Sequence, residues 1–394
     1  MEDGPPIPSG SLPPPRQRPS QLVVALAAGM VGAVGGAALA VWAFPLIEPL
    51  VKAANPWLFA LLAAGATFAA VVMHELGHVL AGRWVGYRFM FLVVGPLRLE
   101  RREGRLRLGL NTSLALAGGL ALSVPTDRRA LARRYAMVVA GGPVWSMLTG
   151  ALGVLLAWWL PSDTSAAVHA KLTVGTFGCV SLLLGVVTLL PMPLGDGASD
   201  GLRLVRLLRG GAEADRDAAI LRLAGQAMLG ERPRDWDRHA VLTALHPADG
   251  SPAEVTARFF AMCHARDRGG CDETGQHASR LLEVYPAAGR PLQAAALLEL
   301  LTTAVLDGRT EAVRSLLDTL RPLTAFLAGP HREVVAAAEL ALAGQAAGAA
   351  ERLERPAVRA TYGQPWQAEL LEQLKAALAA VSRADRPSEG TARR

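Results

Sequence analysis

His74-Glu75-Leu76-Gly77-His78 is the segment of this sequence whose residue types and spacing point most directly to chemistry. Two imidazoles four positions apart fall on one face of a helix, where both can bind one zinc ion, and the glutamate beside the first can take a proton from water. The segment ends an apolar run from Trp57 to Met73. An ionisable residue inside such a run costs roughly 2.5–3.5 kcal/mol on insertion scales, so a cluster of them needs a compensating partner, and a metal ion is the natural one. Zinc used catalytically takes three protein ligands and leaves one position open. A third ligand is therefore expected at the depth of the histidines. At about 1.5 Å per residue the run from Trp57 carries the chain nearly across a hydrocarbon core before His74. A later apolar stretch running the same way ends in Pro191-Met192-Pro193-Leu194-Gly195-Asp196-Gly197-Ala198-Ser199-Asp200-Gly201, which brings two carboxylates, Asp196 and Asp200, to a matching depth on backbone broken by Pro and Gly.

These residues must be positioned by apolar elements. Of the 394 residues 51% are hydrophobic, and they gather in the N-terminal half. Four stretches there are long enough to cross a bilayer: Leu22 to Ile47, Trp57 to Leu80, Ala136 to Leu160 and Leu172 to Leu190. The first follows a Pro-rich arm and lacks the small-residue cleavage site of a signal peptide. Arg16 and Arg18 precede the first stretch, a dense set from Arg83 to Arg134 separates the second from the third, and Arg203, Arg206 and Arg209 follow the fourth. The other two connections carry only Lys52 and Lys171. This asymmetry predicts an integral, multi-pass membrane protein with both termini cytoplasmic. The net charge of +6 then reads as topology charge and anionic-lipid contact, and no basic stripe with interleaved aromatics indicates a nucleic-acid partner. Between the second and third stretches, Leu97 to Arg101 and Arg105 to Leu110 alternate around Glu103-Gly104, which predicts a small hairpin at the cytoplasmic membrane surface. Arg128 to Arg134 read as a short basic segment leading into the third stretch.

His-Glu-Leu-Gly-His in an early span, Gly141-Gly142-Pro143 at the head of a later one and a Pro-x-Pro segment leading to Asp-Gly after the next resemble, in this order, the site-2 protease family of intramembrane zinc metalloproteases. The resemblance covers about Ala60 to Leu208. It implies one zinc ion per chain, bound by His74, His78 and an aspartate of the Asp-Gly motif, with Glu75 as general base. Asp196 stands at the family's usual distance from Pro-x-Pro, while Asp200-Gly201-Leu202-Arg203-Leu204 fits the context that follows the ligand better; Asp200 is favoured, with Asp196 the alternative. The family often has Asn where Ser146 and Thr188 stand, so these two hydroxyls are candidate contacts to the transition state or the substrate backbone. The resemblance further implies substrates that are single-span membrane proteins, anti-sigma factors among them, in a bacterial plasma membrane. Two other functions fit parts of the pattern. Two histidines and a carboxylate also describe non-haem iron enzymes, and the same fold can be a catalytically silent scaffold.

From about Ala212 the character changes to Ala- and Leu-rich helices with charged faces, including Pro291 to Leu306, Thr310 to Leu320, His331 to Ala343 and Trp366 to Val381. No strict repeat period is visible. The expected organisation is mainly α: a disordered arm (1–20), a polytopic membrane bundle of about four spans with the hairpin (21–208), a soluble all-α domain that recruits an unidentified protein partner (209–382) and a disordered tail (383–394). Cys179, Cys263 and Cys271 fit a reduced setting, and Cys263, His264, Cys271 and His277 match no common zinc spacing.

Overall fold

A computed structural model describes residues 48–102, 105–111, 118–127, 130–194 and 197–384. The Pro-rich arm, the stretch from Leu22 to Ile47, the turn Glu103-Gly104, Asp196 and the tail beyond residue 384 lie outside the described residues. The described chain is mostly helical with a small antiparallel sheet, and its described residues divide into two compact units, one up to residue 225 and one from residue 226.

In the first unit three helices are long and apolar enough to cross a membrane: α1 (Pro56–Trp84), α2 (Leu131–Trp159) and α3 (Ser165–Leu189). Helix α1 starts where the Asn55 side chain accepts hydrogen bonds from the backbone N–H groups of Trp57 and Leu58, with Pro56 at the first helical position, where its missing N–H costs nothing. Thr164 caps α3 through the N–H of Ala167. Helix α2 begins at Leu131 and so absorbs part of the basic segment expected to precede it. Apolar side chains face outward along the three helices, Leu61, Leu152 and Leu155 each being at least 60% exposed. Trp57 lies at one end of α1 and Trp84 at the other, both more than 80% exposed. Their separation, at about 1.5 Å per residue, is roughly 40 Å, close to the thickness of a bilayer with its headgroups.

Between α1 and α2 the chain forms a four-stranded antiparallel sheet in the order β3-β2-β1-β4, where β1 is Tyr87–Val94, β2 Leu97–Arg102, β3 Arg105–Leu110 and β4 Leu120–Pro125. The expected hairpin is present as β2 and β3, with Leu97 opposite Leu110 and Leu99 opposite Leu108. The sheet is larger than the hairpin because β1, after the exposed Arg88, is an unbroken apolar run from Phe89 to Val94 with Met90, Val93 and Val94 buried, so it carries no alternation to reveal it. After α3, the pair β5 (Pro193–Leu194) and β6 (Gly197–Ala198) brings the chain to α4 (Asp200–Arg209), and α5 (Ala212–Met228) follows.

The second unit stacks helix pairs: α7 (Pro252–Asp267) with α8 (Cys271–Val284), α9 (Arg290–Leu306) with α10 (Thr310–Leu320), and α11 (Gly329–Leu342) with α12 (Ala346–Glu354). Short α6 (Arg238–Ala244) precedes them, and α13 (Pro356–Thr361) and α14 (Pro365–Ala384) follow. The three pairs turn at Gly269, Gly308 and Gly344, with φ of 76°, 67° and 75°, a region glycine enters without steric cost. The intervals between these turns differ, which is why no fixed period shows in the sequence. Leu281, Leu297, Leu300, Leu316, Leu353 and Leu378 form a continuous core through the pairs.

Candidate metal centre

Helix α1 supplies His74, Glu75 and His78. His74 and Glu75 are buried, and the two imidazoles meet edge to face with centroids 5.0 Å apart. Their outer nitrogens are both engaged. His78 Nδ1 donates to the backbone carbonyl of Val138 on α2 at 2.9 Å, and His74 Nδ1 lies 3.0 Å from Ser146 Oγ on the same helix. A carbonyl can only accept, so the Val138 contact calls for a proton on Nδ1, which leaves the Nε2 lone pair free, while the Gly142 N–H also points at Nδ1 from 3.3 Å.

Both Nε2 atoms converge on one carboxylate oxygen: Asp200 Oδ2 is 3.2 Å from His74 Nε2 and 3.5 Å from His78 Nε2. Ligand atoms of the three residues all lie within 4.8 Å of one another, the one group of this kind among the described residues. Two ligands held at about 2.0–2.1 Å from zinc at a tetrahedral angle stand about 3.3–3.4 Å apart, and the two separations from Asp200 Oδ2 lie close to that spacing. Asp200 is the first residue of α4, directly after the cap Ser199. Burial pushes its carboxyl up, but hydrogen bonds with His74 and His78 outweigh this and hold it well below the usual carboxylate range.

The Glu75 carboxylate lies beside the ligand face against Gly119, just before β4. A Cβ on Gly119, whose φ is +113°, would be 2.6 Å from Glu75 Oε1. His78 is confined in the same way by α2, since a Cβ on Gly142 would be 2.2 Å from its Nε2.

Of the residues singled out in the sequence, the structure thus gathers His74, Glu75, His78 and Asp200, while Asp196 lies outside the described residues. The hydroxyls of Ser146 and Thr188 each have a partner within the protein. Ser146 is fully buried with its hydroxyl on His74, and Thr188 donates to the Leu184 carbonyl of its own helix at 2.9 Å. Sequence reasoning overlooked the Val138 carbonyl, Gly119 and Ser199. A carbonyl carries no side-chain signal, and Gly119 gains its meaning only once β4 is folded against α1. Cys263, His264, Cys271 and His277 form no metal-holding group: Cys263 is buried, Cys271 is exposed, and His264 Nδ1 bonds the Pro233 carbonyl. Comparison with protein families, with curated proteins and with solved structures finds no match to this chain.

Proposed function

We propose that this chain is an intramembrane zinc metalloprotease of the site-2 protease kind, which hydrolyses a peptide bond of a single-span membrane protein near the cytoplasmic face. The observation that carries the reading is the convergence of His74, His78 and Asp200 on one point, with Glu75 beside it, within a helix apolar and long enough to cross a bilayer. The exposed tryptophans near the two ends of α1 suit the two membrane interfaces.

His74, His78 and Asp200 would hold the ion, which when bound polarises the scissile carbonyl and lowers the pKa of water at the open position. Glu75 takes the proton of the attacking water and passes it to the leaving nitrogen, a role that suits a carboxylate against backbone and shielded from bulk solvent. Val138 and Ser146 keep the two imidazoles turned toward Asp200. A helical substrate hides its peptide bonds in its own hydrogen bonds and must unwind before it is cut. Strand β4 pairs only with β1 among the described strands and begins beside Glu75, so its second edge suits an unwound substrate, as does the edge of β3. The regulated proteolysis of anti-sigma-like signalling proteins in a bacterial plasma membrane fits this chemistry, with the helix pairs of the second unit recruiting a protein partner.

The test is cleavage of a panel of single-span substrates by the detergent-purified full chain, comparing wild type with Glu75→Gln and determining the bound metal in both. Cutting by wild type alone, with zinc retained in the variant, is expected. A metal other than zinc, or cutting that survives in Glu75→Gln, would refute the proposal.

A further inference from the structure

We infer that Ser199 is a positioning residue for the third metal ligand, an inference that rests on the reading of His74, His78 and Asp200 as a metal site. Helix α3 ends at Leu189 and α4 begins at Asp200, and the chain between them is broken by Pro191 and Pro193, which have no N–H to give. Where a helix is interrupted in apolar surroundings, its unpaired carbonyl and N–H groups must find partners. One hydroxyl serves three of them. Ser199 Oγ donates to the Leu190 carbonyl, accepts the Met192 N–H at 3.0 Å and accepts the Leu202 N–H at 3.2 Å. That is the full capacity of a hydroxyl, one donor and two lone pairs. The Ser199 N–H adds a bond to the Met192 carbonyl at 2.9 Å, and the residue is 4% exposed.

A single buried atom therefore joins the end of α3, the proline-broken segment and the first turn of α4, one residue from Asp200. Gly201 on the other side completes the clamp, since a Cβ there would lie 1.8 Å from the Leu189 carbonyl oxygen. Asp200 is held between a hydrogen-bond node and a backbone contact, and its position relative to α1 follows from the end of α3.

The requirement is for one atom that both donates and accepts, and this separates positioning from capping. Asparagine caps helices as well as serine does, but its donor and acceptor are different atoms, so it can serve Leu202 without reproducing the node. The experiment compares wild type, Ser199→Thr, Ser199→Asn and Ser199→Ala as detergent-purified full chains. Zinc affinity is measured by chelator competition and ligand geometry by the visible absorption of the cobalt-loaded protein. Loss of groups that orient metal ligands typically weakens binding about 10- to 100-fold. That loss, with an altered cobalt spectrum, is expected for Asn and Ala alike, whereas Thr keeps wild-type affinity and spectrum. Wild-type zinc affinity and cobalt spectrum in the Asn or Ala variant would overturn the inference, and so would a Thr variant as impaired as Ala. Failure of wild type itself to bind zinc or cobalt would instead overturn the metal site.

Discussion

Gly142→Ala is the perturbation whose effect the structure specifies most closely. The added methyl would lie 2.2 Å from His78 Nε2, where ordinary contact needs about 3.5 Å, so methyl and ring must separate by about 1.3 Å. A metal–nitrogen bond tolerates about 0.2 Å of error, some six-fold less than that displacement. The ring cannot swing aside without breaking the Nδ1–H bond to Val138, and the helices cannot part cheaply, because Gly77 and Gly141 already bring α1 and α2 into backbone contact. Overpacking of this kind costs about 1–3 kcal/mol. Carried by the metal-bound state, in which Nε2 must stay in place, it lowers zinc affinity roughly 5- to 150-fold. Gly65→Ala on α1 is the control, since nothing lies within 4 Å of its Cβ position. Zinc content after dialysis against a graded chelator series, with far-ultraviolet circular dichroism to verify the helices, measures the effect. Unchanged zinc affinity in Gly142→Ala would refute the placement of His78 Nε2 as a ligand.

Gly119→Ala should do the opposite, abolishing peptide cleavage while zinc stays bound, because its methyl would collide with the Glu75 carboxylate and its φ of +113° disfavours any side chain; zinc loss in this variant would separate Glu75 from the role given it. In the second unit, Glu254 is fully buried, and burial alone would raise its carboxyl, but hydrogen bonds from Arg280 and the Gly250 N–H, with Arg258 close by, hold it below the usual carboxylate range. A lowered folded-state pKa means that its contribution is complete above the unfolded value near ~4.3 and fades as pH falls through the folded value. Protection against hydrogen exchange across Pro252–Val284, taken relative to the intrinsic rate at each pH, should therefore fall below about pH 4 in wild type, and Arg280→Met should cost that segment about 1–3 kcal/mol of protection at neutral pH.

How much of this was legible in the sequence depended on whether a feature is carried by side-chain type or by backbone. The spacing of His74 and His78 places both rings on one face because the helical period is 3.6, and the depth argument brought the Asp196–Asp200 segment to the same level. Neither argument needs tertiary knowledge. Asp200 was favoured by the Asp-Gly-Leu-Arg-Leu context that follows it; what the sequence did not show is that Ser199 and Gly201 fix the start of its helix through contacts with the end of α3. Strand β1 was hidden by its own burial, a continuous apolar run being equally compatible with helix or strand. The helix pairs of the second unit were visible one at a time, from their apolar spacing, but unequal turn intervals concealed their recurrence.

Ser146 shows what such a site asks of a hydroxyl within the protein itself. A hydroxyl near two histidines is a reasonable candidate for contact with substrate, yet in apolar surroundings the first demand on it comes from the protein. Each imidazole must present Nε2 inward, so each Nδ1 needs a fixed partner, and α2 provides one to each ring: the Val138 carbonyl to His78 and the Ser146 hydroxyl to His74. Glu75, backed by Gly119, and Asp200, fixed by Ser199 and Gly201, follow the same pattern. Among the described residues, the hydrogen bonds and close contacts that fix these side chains come from backbone or from a buried hydroxyl, while Arg203 on α4 adds an electrostatic attraction to Asp200. Another ionisable side chain at this depth would carry its own insertion cost of roughly 2.5–3.5 kcal/mol, whereas a carbonyl already present carries none. Restraint of this kind keeps the sum of charges at the centre small, two imidazoles and two carboxylates, which a divalent cation can balance when both histidines are neutral.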